Sequence, residues 1–140
     1  MLYDSIIIGT GPAGVSAALN LKILDKNFLW FGSGASSKKV EAAELIRNYP
    51  GLPDISGAEL SSALVSHAKS MGIEPRHEIV TAIYDLGGRY AVTAGTDTFE
   101  SKTIILCTGV TTAKPVDGEE QFLGRGVSYC ATCDGFLYKG

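Results

Sequence analysis

Two groups of residues in this chain are of types and spacings that could do chemistry. Cys130 and Cys133 stand three apart in Tyr129-Cys130-Ala131-Thr132-Cys133-Asp134-Gly135. Such a pair can close a small disulfide that opens and closes without rebuilding a fold, and helix ends and nearby charges tune its thiolates. Asp134 could move the proton that thiol–disulfide exchange requires. It would also suit a helix start as a carboxylate, and both roles can hold together. At the other end of the chain, Gly9-Thr10-Gly11-Pro12-Ala13-Gly14 has the spacing of a phosphate-cradling loop. Gly9 would make the tight turn, Gly11 would let backbone approach a pyrophosphate, and Gly14 would let helix and strand meet closely. The phosphate would rest on the helix N-terminus, with its free N–H groups and partial positive charge.

Other chemistries find less support. A structural zinc site needs four ligands. The only further candidates are Cys107, His67 and His77, and none has paired spacing, so no metal is expected. Two reduced core thiols would sit poorly beside the polar Thr132 and Asp134. Cys107, in the run Thr103-Ile104-Ile105-Leu106-Cys107, reads as a small buried hydrophobe in a strand. His67 and His77 read as structural or solvated. Many dinucleotide sites end the second strand with an Asp or Glu that holds the ribose. Here the strand ends Trp30-Phe31-Gly32-Ser33. Either the Ser33 hydroxyl takes over that job or backbone does.

The elements that must position these residues follow in order. Leu2 to Ile8 reads as a buried strand, because Ile6-Ile7-Ile8 is continuous rather than alternating. Pro12 suits the first turn of a helix. That helix runs to about Asp25 with Ala13, Ala17 and Ala18, small residues that pack close to a sheet. A second strand spans Asn27 to Phe31. Strand, glycine turn, helix, strand is the unit the fingerprint requires. Gly32 to Gly57 is too long for an idle connection, so a functional loop with a short helix over Val40 to Ile46 is expected. Ser56-Gly57-Ala58-Glu59 spells a capping box. The helix it opens buries Leu60, Leu64, Ala68 and Met71 and stops at Gly72. Strands follow over Ile79 to Tyr84, Arg89 to Thr93 and Thr96 to Phe99, a small antiparallel meander. Thr103 to Cys107 is a further buried strand. Lys114 to Glu120 reads as a linker.

The totals agree with this picture. A chain of 140 residues with 45% hydrophobic and 19% charged content fits one globular domain. A net charge of -3 and no clustered Lys or Arg argue against a nucleic-acid surface. No apolar run reaches the ~20 residues of a membrane helix. The N-terminus lacks a basic start and leads straight into the glycine loop. A cytoplasmic location is expected. There a Cys-x-x-Cys is more often redox-active or metal-binding than structural.

With these motifs the chain resembles the low-molecular-weight thioredoxin reductases along its whole length. The resemblance rests on Gly9 to Gly14, on Leu106-Cys107-Thr108-Gly109, and on Gly124-Arg125-Gly126-Val127-Ser128-Tyr129-Cys130-Ala131-Thr132-Cys133-Asp134-Gly135. It implies an α/β, Rossmann-like, FAD-binding three-layer fold, with a parallel sheet plus a small antiparallel meander, as the first part of a two-domain flavoprotein. It implies FAD held by Gly9, Thr10, Gly11, Pro12, Ala13 and Gly14, and by Phe31, Gly32 and Ser33. Lys38, Lys39, Asn48, Val80, Thr108 and Gly109 complete that set. It implies electrons passing from FAD to a Cys130–Cys133 disulfide, with Asp134 as its acid, and on to thioredoxin.

Members that use NADPH carry a Gly-Gly-Gln-Leu segment after the second strand. Ser36-Ser37-Lys38-Lys39 and the following Val40-Glu41-Ala42-Ala43-Glu44-Leu45 are instead similar to the clostridial-type, ferredoxin-dependent flavin branch. The implied donor is ferredoxin or NADPH, and the implied assembly a homodimer. Family members continue through a pyridine-nucleotide domain, so this chain is expected to be an N-terminal fragment. Residues 1–113 would be the first segment of the FAD-binding domain. Residues 114–140 would be the linker and the start of the second domain, carrying the cysteine pair. A related flavin disulfide reductase with another small partner, or a non-catalytic redox-sensing nucleotide-binding module, would use the same motifs.

Overall fold

Strand β1 (Leu2–Ile8) is the middle strand of the parallel part of the sheet in a computed structural model that describes residues 1–34, 38–110, 116–122 and 125–127. It pairs in parallel with β2 (Phe28–Phe31) on one side and β5 (Asp97–Leu106) on the other. Ile6, Ile7 and Ile8 are all buried because both faces of β1 are covered. Ile7 faces the helices. There it joins Val15 and Ala18 of α1 (Pro12–Ile23), Ala68 of α3 (Gly57–Ser70), Trp30 and Ile73. Ile6 and Ile8 face the other way, against Phe31, Val92 and Ala94. Removing the fully buried Phe31 or Leu60 from water contributes on the order of 1.5–3 kcal/mol each.

The second face is covered by an antiparallel meander of β3 (Val80–Asp85), β4 (Tyr90–Ala94) and the first half of β5. Helices, parallel strands and meander form three layers, as expected from the sequence. The strand order is β2-β1-β5-β4-β3, one continuous sheet.

That continuity corrects the expectation of separate strands at Thr96 to Phe99 and Thr103 to Cys107. A single β5 serves both layers. Ser101 pairs with Tyr90 of the meander and with Tyr3 of the parallel sheet. It is fully buried, and its hydroxyl donates to the Thr103 carbonyl at 2.9 Å. The polar run Glu100-Ser101-Lys102 lies between the two expected strands, and both of its charges have partners. Glu100 meets Arg89 at 3.4 Å, and Lys102 meets Asp4 at 2.7 Å.

Three further boundaries differ. Helix α1 stops at Ile23 rather than Asp25, because Asp25 turns left-handed at φ +52°. A short α2 (Lys38–Glu41) replaces the helix expected over Val40 to Ile46. Ile46 instead forms an antiparallel bridge to Ile55. Within the expected linker, α4 (Glu119–Phe122) forms a helical turn. The capping box forms as read: the Ser56 hydroxyl accepts from the Glu59 N–H at 3.2 Å, and the Glu59 carboxylate accepts from the Ser56 N–H at 3.0 Å. Among the described residues no helix is long and apolar enough to cross a membrane.

Candidate functional site

The glycine loop sits where β1, β2 and β5 end together. The Gly9 N–H donates to the Phe31 carbonyl at 2.8 Å, and the Cys107 N–H donates to the Ile8 carbonyl at 2.7 Å. Gly9 has φ +116°, and a side chain there would collide with the Cys107 carbonyl. Only glycine meets both demands. A Cβ on Gly14 would collide with the Gly9 carbonyl, which is the close helix–strand contact expected from the motif.

Gly11 is different. It is the N-cap of α1, in extended backbone, and nothing lies within 4 Å of where its Cβ would be. Its carbonyl accepts from the Val15 N–H at 3.0 Å, so the helix is wound from its first turn. Pro12 occupies that turn, no acidic residue lies in it, and no side chain caps it. An open approach beside Gly11, at the positive end of a twelve-residue helix, fits the pyrophosphate of a dinucleotide.

The neighbouring strand ends complete the cradle. A Cβ on Gly32 would run into the Thr10 side chain, itself 8% exposed. Thr108 and Gly109 lie two and three residues past β5, and the Thr108 nitrogen lies 3.1 Å from the Cβ position of Gly9. The structure thus gathers Gly9, Thr10, Gly11, Gly14, Gly32 and Thr108 at one end of the sheet. Cys107 lies one residue past β5 and is half-buried rather than inside the strand. Burial pushes its thiol pKa up, away from the reactive thiolate range.

The remaining expected residues are more dispersed. Phe31 is fully buried in the core on the meander side, and Val80 packs against the same cluster. Ser33 is exposed after β2. Lys38 and Lys39 lie in α2. Asn48 is exposed in the loop that the Ile46–Ile55 bridge closes. Cys130, Cys133 and Asp134 lie outside the described residues.

Sequence reasoning missed two residues at the edge of β2. Arg76 forms a parallel bridge to Phe31: its N–H donates to the Trp30 carbonyl at 2.7 Å, and its carbonyl accepts from the Gly32 N–H at 3.1 Å. Its guanidinium lies over the rings of Phe31 and Phe99, 5.7 and 4.8 Å from their centroids, and pairs with Glu78 at 2.7 Å. His77, one residue on, donates from Nδ1 to the Ser33 carbonyl at 3.1 Å. A cavity of about 320 Å³ opens between this edge, the glycine loop and α3. Thr10, Trp30, Gly34, Lys69, Glu74 and His77 are among its lining residues. The one signal in the sequence for these residues is the missing carboxylate after β2, which leaves a ribose without its usual partner.

Comparison with known proteins agrees with this geometry. The family model described as pyridine nucleotide-disulphide oxidoreductase matches residues 3–140. A thioredoxin reductase of Listeria monocytogenes is 40% identical over 99% of this chain, and one of Bacillus subtilis is 37% identical over 99%. The chain spans 44% of the length of each of these curated relatives. A crystal structure of a ferredoxin-flavin thioredoxin reductase from Clostridium acetobutylicum is 45% identical, with a TM-score of 0.77, covering 100% of this chain and 49% of that one. The thioredoxin reductase of Streptococcus pyogenes is 35% identical with a TM-score of 0.80, covering 99% of this chain and 45% of that one. The chain belongs to the pyridine nucleotide-disulphide oxidoreductase family.

Proposed function

We propose that this chain is the N-terminal part of a flavin-dependent thioredoxin-disulfide reductase. The observation that carries the reading is the cradle itself. Gly9 and Gly14 are locked against backbone, while Gly11 stands open at the start of α1. Those residues would hold the pyrophosphate of FAD, with Thr10, Gly32, Ser33, Thr108 and Gly109 around the same strand ends. Lys38, Lys39, Asn48 and Val80 would contact other parts of the cofactor.

FAD, when bound, supplies two-electron transfer to a disulfide. The chain supplies the disulfide. Two electrons and two protons convert Cys130–Cys133 to a pair of thiols. One of them, as thiolate, attacks the disulfide of thioredoxin and forms a mixed disulfide. The other then attacks its own partner's sulfur, restores the Cys130–Cys133 bond and releases reduced thioredoxin. Asp134 takes or gives the proton at these thiols. The electron donor is ferredoxin or NADPH. The Ser36-Ser37-Lys38-Lys39 segment and the likeness to the clostridial ferredoxin-flavin enzyme favour ferredoxin. Residues 1–113 form the first segment of the flavin-binding domain, and residues 114–140 lead into a second domain. The whole protein works as a cytoplasmic homodimer.

Replacing Cys130 or Cys133 with Ser in the full-length protein tests this reading. Each variant should keep its flavin and lose thioredoxin reduction. Full activity in both variants would sink it.

A further inference from the structure

The end of β2 lacks the carboxylate that usually accepts a hydrogen bond from the ribose of a bound dinucleotide. Phe31 is followed by Gly32 and Ser33. We propose that His77 takes over this task, with Nε2 accepting from a ribose hydroxyl in the cavity beside the glycine loop. The inference rests on the nucleotide-binding reading of that loop.

Three observations place His77 there. First, its ring is held against the end of β2. Nδ1 lies 3.1 Å from the Ser33 carbonyl. A carbonyl oxygen can only accept, so Nδ1 carries the proton and Nε2 of the neutral ring is left as an acceptor. Nε2 has no partner among the described residues. Second, the chain makes room for the ring. Gly34 has φ +77°, and a Cβ there would collide with the His77 Cε1. Third, His77 and Thr10 of the glycine loop line the same cavity of about 320 Å³. A nucleotide whose pyrophosphate rests at Gly11 therefore has a space for its sugar with an oriented acceptor in the wall.

Glu74 lines this cavity as well and is the rival acceptor. Among the described residues no hydrogen bond or ion pair anchors its carboxylate, whereas His77 is tied to the strand end where the usual acid would stand. The placement also explains why Arg76 and His77 follow one another. Arg76 fixes the segment to β2 through two backbone bonds and its stacking on Phe31 and Phe99. His77 is thereby delivered to the opposite side, among the residues facing α3.

The test compares ADP with 2′,3′-dideoxy-ADP as calorimetric titrants of the flavin-stripped full-length protein. Wild type should bind ADP more tightly than the dideoxy analogue by roughly three- to tenfold, the range of one neutral hydrogen bond. In His77→Ala the two nucleotides should bind equally, with dideoxy-ADP affinity as in wild type. That second value shows that the cradle has kept its shape. His77→Gln, which retains an acceptor, should recover part of the preference. The preference surviving in His77→Ala overturns the inference, and so does its loss in Glu74→Ala instead. If FAD binds normally but ADP shows no preference in wild type, the inference fails and the flavoprotein reading stands. If neither FAD nor ADP binds, both fall.

Discussion

The indole N–H of Trp30 donates to the carbonyl of Gly9 at 2.8 Å, so the glycine turn that follows β1 is held by a side chain from β2. Trp30 is 4% exposed and packs with Ile7, Val15 and Ala18. The same Gly9 carbonyl is the atom that a Cβ on Gly14 would strike. One oxygen thus fixes the distance between the glycine turn, α1 and β2, and with it the shape of the cradle.

Trp30→Phe isolates that bond, because it keeps the aromatic bulk and removes the donor. Stability should fall by about 1 kcal/mol for the lost hydrogen bond, plus a small cavity cost. Flavin affinity should fall severalfold as the turn loosens. Urea unfolding and flavin titration check both values. Equal stability and equal affinity would show that the bond does not shape the loop.

Gly11 and Gly14 belong to one motif, yet they should fail in different ways. Gly14→Ala places a methyl on backbone that cannot yield, and the protein should be destabilised by several kcal/mol, on the order of a severe packing defect. Gly11→Ala meets open space at an ordinary φ of -71°. Its stability should stay within about 0.5 kcal/mol, while the methyl occupies the phosphate approach and flavin binding is lost. Thermal unfolding of the apoproteins beside a flavin titration separates the two. Loss of stability in Gly11→Ala would contradict the open cradle.

Much of this site is legible in the sequence because it is local. The glycine spacing, Pro12 at the first turn and the Ser56–Glu59 capping box are short-range patterns with one mechanical solution each. The three isoleucines of β1 announce a strand covered on both faces. What escapes is set by contacts between distant segments. The Trp30–Gly9 bond joins residues 21 apart, and the His77–Ser33 bond joins residues 44 apart. Nothing in a polar turn such as Pro75-Arg76-His77-Glu78 says that it will lie along β2. The fusion of two expected strands into β5 escapes for the same reason, since the partners of Glu100 and Lys102 are on other strands.

Acid should loosen the protein through two carboxylates. A hydrogen bond from Lys102 and another from the Asn27 backbone hold Asp4 below its ordinary pKa of 3.8. Hydrogen bonds from the Ser56 hydroxyl and backbone hold Glu59 below its ordinary 4.5. Each group binds its proton more weakly when folded than when unfolded. Its stabilisation is complete above the unfolded value and is lost as pH falls through that value toward the lowered one. Urea midpoints should therefore hold between pH 7 and 5 and drop below about pH 4.5. Asp4→Asn and Ser56→Ala should each flatten that drop. Ser56→Ala should also cost about 1 kcal/mol at neutral pH through the lost cap. An acid limb as steep in both variants as in wild type would contradict these assignments.

The central claim is that the glycine cradle holds a flavin whose electrons reach Cys130 and Cys133. The most direct measurement is the visible spectrum of the purified full-length protein, taken anaerobically before and after reduced ferredoxin and, separately, NADPH. A flavin spectrum that bleaches with ferredoxin but not NADPH, and recovers when oxidised thioredoxin is added, is the predicted result. A protein that binds no flavin, or one whose reduced flavin is untouched by thioredoxin, would contradict the account.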